Sequence, residues 1–136
     1  MAALLPRECT LMENLDDRAL EQVASFFSAF SVPTRLKILN ALRQGERNVG
    51  DLTAILGGSQ ANVSKHLGVL AEKGLIEKTA RGTSAYYRII DPRIFQLCDL
   101  VCVQVGQRIA RQSEARSAFL RIARSAERTP RKRASR

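Results

Sequence analysis

The spacing of the apolar side chains changes once along this chain, at Gly74, and that change limits the folds available to it. Before Gly74 the apolar residues recur every three or four positions, as on one buried face of a helix. After it, residues 75–79 and 85–90 are rich in β-branched and aromatic side chains and flank a turn at 81–84. A long helical pattern begins after Pro92. The sequence therefore predicts a mainly α-helical domain with one β-hairpin.

Four helices are predicted before the hairpin, and residues with known preferences for helix ends mark their limits. The first opens beside the acidic Asp16, and Pro33 suits the first turn of the second. The third is short and ends at Gly57, and the fourth covers about residues 60–73 with Ser59 as its cap. Two short helices joined in this way predict a helix-turn-helix.

Length and charge predict one folded domain with unstructured ends. A chain of 136 residues has room for a single core, and a hydrophobic content of 45% is normal for a globular protein. We expect an arm at residues 1–14, a domain at 15–120 and a flexible basic tail at 121–136. The tail has seven basic residues and one acid, so it carries +6 of the net charge of +9. Such a charge suits a polyanion such as DNA, although basic tails also occur as solubility appendages.

Several function classes are disfavoured by what the sequence lacks. No apolar run approaches the roughly 18 residues needed to cross a bilayer, and Arg7 and Glu8 interrupt the first apolar segment, so we expect a cytoplasmic protein without a membrane partner. Three cysteines without a framework spacing predict reduced thiols. There is no Gly-rich phosphate loop after a strand and no histidine near a cysteine nucleophile, so we do not expect an enzyme.

The fourth helix has the residue types of a helix that enters the major groove of DNA. Its apolar residues Val63, Leu67 and Leu70 fall on one face, and the opposite face is small and polar. Such a face brings amide and hydroxyl groups to base edges and a cation to phosphate without bulk that would hold the helix away. The candidate contacts are Gln60, Ser64 and Lys65, with Asn62 and His66 at the margins. A solvated face of an ordinary surface helix has a similar pattern.

The hairpin favours the DNA interpretation. Arg81 lies at its tip, where a cation can enter the narrow minor groove beside the same duplex. Arg88 and Lys78 are candidate phosphate contacts nearby. A helix-turn-helix followed directly by such a hairpin predicts a winged helix-turn-helix.

Four segments carry a recognisable combination of residues. They are Pro33-Thr34-Arg35-Leu36-Lys37-Ile38-Leu39, Ser59-Gln60-Ala61-Asn62-Val63-Ser64-Lys65-His66-Leu67, Gly74-Leu75-Ile76, and Arg81-Gly82 with Tyr86-Tyr87. Together they resemble the ArsR/SmtB family of bacterial winged-helix repressors, over about residues 18–110. The resemblance implies a homodimer built largely by the first and last helices. It also implies binding to a partly palindromic operator, which blocks transcription until an inducer is sensed.

The family's inducer sites can be compared with this chain position by position. The metal site of the third helix uses a Cys-x-Cys-type motif, where this chain has Asn48-Val49-Gly50. The zinc site of the last helix needs Asp and His pairs, whereas His66 is the only histidine here. We therefore do not expect a zinc sensor of that type.

The cysteines are the remaining candidates for an inducer site. Cys98 and Cys102 share a helix face with Cβ atoms roughly 5–6 Å apart, beyond the roughly 3.5–4.5 Å of a disulfide. Their sulfurs can instead converge on one soft ion. Arsenite and antimonite take three thiolates, and Cys9 would supply the third, from the same protomer or from its partner if the first and last helices pack across the dimer. The resemblance adds that some relatives sense arsenic through cysteines near the start of the last helix. Glu8, Glu13 and Asp99 are candidate oxygen ligands, although single surface acids are usually only solvated.

The cysteines also fit two alternative roles. A second branch of the family senses oxidants or reactive sulfur through one cysteine on the second helix and one on the last. Here the second-helix position is Asn40, so a link from Cys9 to Cys98 or Cys102 would replace that pairing. In the second alternative, Cys98 and Cys102 are small apolar residues that fill a dimer seam. We expect no permanently bound cofactor, and As(III), Sb(III) or another soft metal ion as the inducer.

Overall fold

A computed structural model of the chain describes the backbone of residues 7–128 and the side chains of residues 11–128. It contains a short 3-10 helix, Arg7–Asn14, inside the segment predicted to be an arm. Backbone contacts divide the chain into a unit that ends at Pro92 and a second that begins at Arg93. The elements are α1 (Asp17–Ser28), α2 (Pro33–Leu42), β1 (Arg47–Asn48), α3 (Val49–Leu56), α4 (Gln60–Glu72), β2 (Ile76–Arg81), β3 (Ser84–Ile89) and α5 (Ile94–Arg128).

The predicted starts of α1, α2 and α4 are confirmed, and two of them have capping hydrogen bonds. The Asp16 carboxylate accepts a hydrogen bond of 2.8 Å from the backbone N–H of Ala19 at the start of α1. Pro33 occupies the first turn of α2. The Ser59 hydroxyl accepts a hydrogen bond of 3.2 Å from the backbone N–H of Asn62 at the start of α4. These contacts satisfy N–H groups that have no partner inside the helix.

The sheet has three antiparallel strands in the order β1-β3-β2. The hairpin of β2 and β3 was predicted, and Gly82 lies at its tip with φ 61°, a left-handed conformation that favours glycine. The first strand was not predicted. It consists of Arg47 and Asn48, which pair with Tyr87 and Tyr86 of β3. Two residues are too few to show the alternation by which a strand is recognised in a sequence.

The core of the first unit lies between the helices and one face of the sheet. Tyr87 on β3 is buried on that face together with Ile76 on β2. The helices contribute aliphatic side chains at the spacing of one helix face, namely Ile38, Leu39 and Leu42 from α2, Leu52 from α3, and Val63, Leu67 and Leu70 from α4. The Lys73 ammonium at the end of α4 also donates a 2.5 Å hydrogen bond to the Ser25 hydroxyl of α1. These contacts pack the apolar face of α4 against the core and leave its opposite face exposed.

The second unit is one long helix, and its length corrects the sequence prediction. The apolar pattern was expected to fray past Phe119, with a flexible tail from residue 121, but α5 continues to Arg128. The predicted boundary at 121 is therefore wrong, because residues 121–128 are mostly Arg, Ala and Glu, which favour a helix, and include no Gly or Pro to end it. The rest of the predicted tail, 129–136, lies outside the described residues. No helix of the described chain is long and apolar enough to span a membrane.

Candidate nucleic-acid interface

The exposed side of α4 carries the residues predicted to contact DNA. Val63, Leu67 and Leu70 are buried, and they orient the helix so that its opposite side faces solvent. Gln60, Asn62, Ser64 and Lys65 are all exposed, together with the small residues Ala61 and Gly68. The surface of α4 is therefore narrow and polar over its first two turns, as insertion into a major groove requires.

A cleft of about 470 Å³ joins α4 to the hairpin. Gln60 and Ser64 line it from α4, and Thr83, Ser84 and Ala85 line it from the hairpin. Residues 48–50, at the start of α3, form its third side. The structure thus places two of the three principal candidates of α4 beside the hairpin tip, so that both elements present one continuous polar surface.

His66 was predicted at the margin of the DNA contacts, but the structure places it toward the core. It is half-buried, and its Nδ1 atom is buried without a hydrogen-bond partner among the described residues. His66 follows Val63 by three residues and precedes Leu70 by four, so helix geometry puts it on their face. Burial lowers the pKa of His66 below its ordinary value of 6.5, and the positive charges of Arg35 and Lys65 lower it further.

Arg81 lies at the hairpin tip as predicted, but its guanidinium already has two partners within the protein. One Nη atom lies 2.5 Å from a carboxylate oxygen of Glu46, just before β1. The centre of the guanidinium is 4.9 Å from the centroid of the Tyr86 ring on β3. The predicted insertion into a minor groove therefore requires Arg81 to change partners.

The two predicted phosphate contacts, Arg88 and Lys78, lie on opposite faces of the hairpin. Arg88 forms an ion pair with Glu77, the residue directly opposite it in the register. Lys78 is opposite the buried Tyr87, on the face that the core packs against, and it is itself exposed. Among the described residues, neither Lys78 nor Lys65 forms an ion pair, so these two lysines present uncompensated positive charge.

Sequence reasoning missed the contributions of Glu46, Asn48 and Thr83 to this surface. Asn48 caps α3 by accepting a 2.7 Å hydrogen bond from the backbone N–H of Asp51, and it also lines the cleft. A polar residue ahead of a predicted helix is a signal that could have located Asn48. No comparable signal existed for Glu46, because its place depends on the unpredicted β1.

The predicted inducer site is only partly within the described structure. Cys98 is half-buried and Cys102 is exposed, and they lie on successive turns of α5. The side chain of Cys9 lies outside the described residues. Within the part of the chain whose side chains are described, no three His, Cys, Asp or Glu side chains are grouped to hold a metal ion. The described part of a single protomer therefore offers two thiols to such a site, both on α5.

Comparisons with known proteins agree with this architecture. The model of the family described as bacterial regulatory protein, arsR family, matches residues 32–78. The HTH-type transcriptional regulator NmtR of Mycobacterium tuberculosis is 41% identical over 85 residues, which are 62% of this chain and 71% of that protein. The probable mercury resistance operon repressor of Streptomyces lividans is 36% identical over 77 residues, 57% of this chain and 62% of that protein.

A solved structure is similar to this chain in both fold and sequence. It is the homodimeric winged helix-turn-helix DNA-binding domain of a possible ArsR-family transcriptional regulator from Mycobacterium bovis. The TM-score is 0.59 at 33% identity, and the match covers 80% of this chain and 94% of that one. The fold and the surface of α4 define a winged helix-turn-helix protein that binds DNA. The chain belongs to the ArsR family of bacterial regulatory proteins, and it is a DNA-binding transcriptional repressor.

Proposed function

We propose that this repressor is a homodimer that binds a partly palindromic operator through α4 and the hairpin. We further propose that a thiophilic metal or metalloid ion, such as arsenite or antimonite, releases it by binding cysteine thiolates. The observation that carries the DNA interface is the cleft shared by Gln60 and Ser64 of α4 with the hairpin tip. It supports one surface in which a helix enters the major groove while the hairpin lies along the adjacent backbone.

Each residue of this interface has a role that follows from its chemistry. The Gln60 amide both donates and accepts hydrogen bonds, and the Ser64 hydroxyl does the same, so both suit base edges. Lys65 suits a phosphate, because it is a compact cation and is exposed. Asn62, on the flank of the helix, is a further candidate. His66 stays a candidate at the margin of the interface, and its half-burial makes it the least accessible of the set.

Dimerisation through the first and last helices is supported by their exposed apolar side chains. Leu20 and Phe27 of α1 are partly exposed, and α5 exposes a series of large aliphatic residues that includes Val101, Val105 and Ile109. A surface of this kind is unfavourable in water and is typical of an interface. Two protomers would place two α4 helices at half-sites about one helical turn apart.

The inducer assignment rests on the donor chemistry of α5. Cys98 and Cys102 present two soft sulfur donors one helical turn apart, which suits a soft ion better than a hard one. Arsenite and antimonite take a third thiolate, for which Cys9 or a cysteine of the second protomer is the candidate. The name of the Streptomyces lividans relative, a probable mercury resistance operon repressor, supports a thiophilic inducer.

Release follows if the ion favours a dimer whose α4 helices no longer match the two half-sites. The required preference is modest, because a coupling of roughly 1–3 kcal/mol changes operator affinity about 5–150-fold. The ion must therefore bind the DNA-free dimer that much more tightly than the operator complex.

The DNA interface is tested by selecting operator sequences from a random duplex library and footprinting the selected site. We expect a protected, symmetric stretch with the natural chain. We expect the loss of that protection when Gln60, Ser64 and Lys65 are changed together to alanine. Equal binding by the triple variant would overturn the interface.

The inducer is tested by titrating the reduced protein on its operator with arsenite, antimonite, Cd²⁺ and Pb²⁺, and separately with a persulfide and a peroxide. We expect release by the thiophilic ions, and no release when Cys98→Ser or Cys102→Ser is introduced, with DNA affinity unchanged. The variant Cys9→Ser tests the third thiolate in the same assay. Release by the persulfide or peroxide alone would favour a reactive-sulfur or redox sensor, and loss of DNA affinity in the serine variants would make the cysteines packing residues.

A further inference from the structure

Tyr86, Arg81 and Glu46 meet on the face of the sheet that lies away from the core. Tyr86 on β3 is opposite Asn48 on β1 and Thr79 on β2. Alternation along each strand then places Glu46, two residues before Asn48, and Arg81, two residues after Thr79, on the face of Tyr86. The Arg81 side chain therefore runs across Tyr86, from the last residue of β2 to the segment that precedes β1.

The contacts on this face hold the arginine from two sides. The Glu46 carboxylate lies 2.5 Å from one Nη atom, and the Tyr86 ring lies 4.9 Å from the guanidinium centre. The Glu46 side chain is 25% exposed and that of Arg81 is 58% exposed. The carboxylate is thus the more buried partner, and the arginine is the one more accessible to a ligand from solvent.

This pairing distinguishes Arg81 from the lysines of the same surface. Lys65 and Lys78 carry charge that no described carboxylate balances, but the charge of Arg81 is balanced by Glu46. A phosphate near the hairpin tip meets an ion pair of zero net charge, in which the repulsion of the carboxylate offsets the attraction of the guanidinium. Any contact of Arg81 with DNA therefore includes the loss or weakening of its contact with Glu46.

We propose that Glu46 is a positioning residue that withholds Arg81 from DNA and thereby limits operator affinity. This inference rests on the proposed DNA interface. In the unbound protein Glu46 holds the guanidinium against the hairpin, and on the operator a phosphate takes the place of the carboxylate. Tyr86 keeps the arginine near the tip in both states, because its ring attracts the cation without neutralising it.

The competing effect is that Glu46 orders Arg81 in advance and so assists binding. An immobilised long side chain loses conformational entropy, and ordering it beforehand would reduce that loss. Two features favour competition instead. The Tyr86 ring provides ordering without Glu46, and the carboxylate stays within the field of the phosphates whenever Arg81 binds them. Removing the carboxylate charge should therefore strengthen binding.

The experiment measures operator affinity for the full chain with Glu46→Gln, with Arg81→Gln and with both changes. The matched control is Glu72→Gln, which removes one negative charge from an exposed position at the far end of α4. Because an exposed ion pair is worth at most about 1 kcal/mol, we expect Glu46→Gln to tighten binding about two- to fivefold at low salt. We expect the gain to shrink as salt is added and to disappear in the Arg81→Gln background. Glu72→Gln should give a smaller gain that persists in that background.

Three results would overturn the proposal. These are weaker or unchanged binding by Glu46→Gln, a gain that persists without Arg81, and a gain no larger than that of Glu72→Gln. The variant Glu46→Ala repeats the test without the amide and must give the same direction. The triple alanine variant of α4 separates this inference from the proposed interface. If that variant binds normally, the interface itself is wrong, whereas its failure to bind together with a null result at Glu46 removes only the role of Glu46.

Discussion

The two units of this protein have similar shares of apolar residues but bury them to very different extents. All eleven buried hydrophobic residues of the described chain lie in the unit that ends at Pro92. No residue of α5 is buried within the described chain, although Val105 is 50% exposed, Ile109 59% and Phe119 73%. The first unit therefore buries a core of its own, although α1 leaves Leu20 and Phe27 partly exposed, whereas the described part of α5 buries none of its apolar residues. The buried core holds the DNA-binding residues of the first unit rigid, whereas the exposed apolar residues of α5 and α1 suit contacts between two protomers.

The largest expected effect tests how much the buried core stabilises the first unit. Leu67 of α4 is fully buried, so Leu67→Ala should lower the free energy of unfolding by about 2–5 kcal/mol. Leu100 of α5 is 58% exposed within its own protomer, so the same substitution there should cost less than at Leu67. Urea denaturation at one fixed protein concentration measures both. Equal costs at the two positions would contradict the comparison.

The next effect tests the need of α5 for a partner. Val105→Asp places a charge in the exposed apolar series, and it should weaken dimer association about tenfold or more because an interface would bury that charge unpaired. Gln107→Asp adds the same charge on the other side of α5 and is the matched control. Sedimentation equilibrium measures the association, and operator affinity should fall in parallel. A dimer that tolerates Val105→Asp as well as Gln107→Asp would place the interface elsewhere.

The smallest effect sharpens the description of α4. Burial and two nearby cations lower the pKa of His66 in the folded protein, so the unfolded chain binds a proton more readily. The contribution of neutral His66 to stability is present above the unfolded-state pKa of 6.5 and is lost as the pH falls through the lower pKa of the folded state. Because His66 is the only histidine, His66→Gln should remove this part of the pH dependence. Chemical denaturation of both proteins across that pH range provides the measurement, and identical pH profiles would show that His66 is solvated.

Most of the fold of the first unit could be predicted because local signals agree with one another there. Asp16 and Ser59 mark helix starts through hydrogen bonds with their own backbone neighbours, and Pro33 does so through its fixed φ, so each signal lies within three residues of the structure that it specifies. The change of apolar spacing at Gly74 located the hairpin for the same reason. The end of α5 was predicted too early because the loss of the apolar pattern was taken as the end of the helix. The helix continues to Arg128 because the residues there still have high helix propensity.

The amino-acid sequence by itself determined the helices, the hairpin and the polar face of α4, because each depends on contacts between residues close in the chain. Only the tertiary structure decided which charged groups are paired and which polar groups are buried. The pairing of Arg81 with Glu46, across β3, joins groups 35 positions apart, and no local pattern encodes that distance. The half-burial of His66 likewise depends on the packing of α4, which buries its Nδ1 atom. The physical reason is that burial and ion pairing depend on neighbours in space, which the order of residues specifies only through the completed fold.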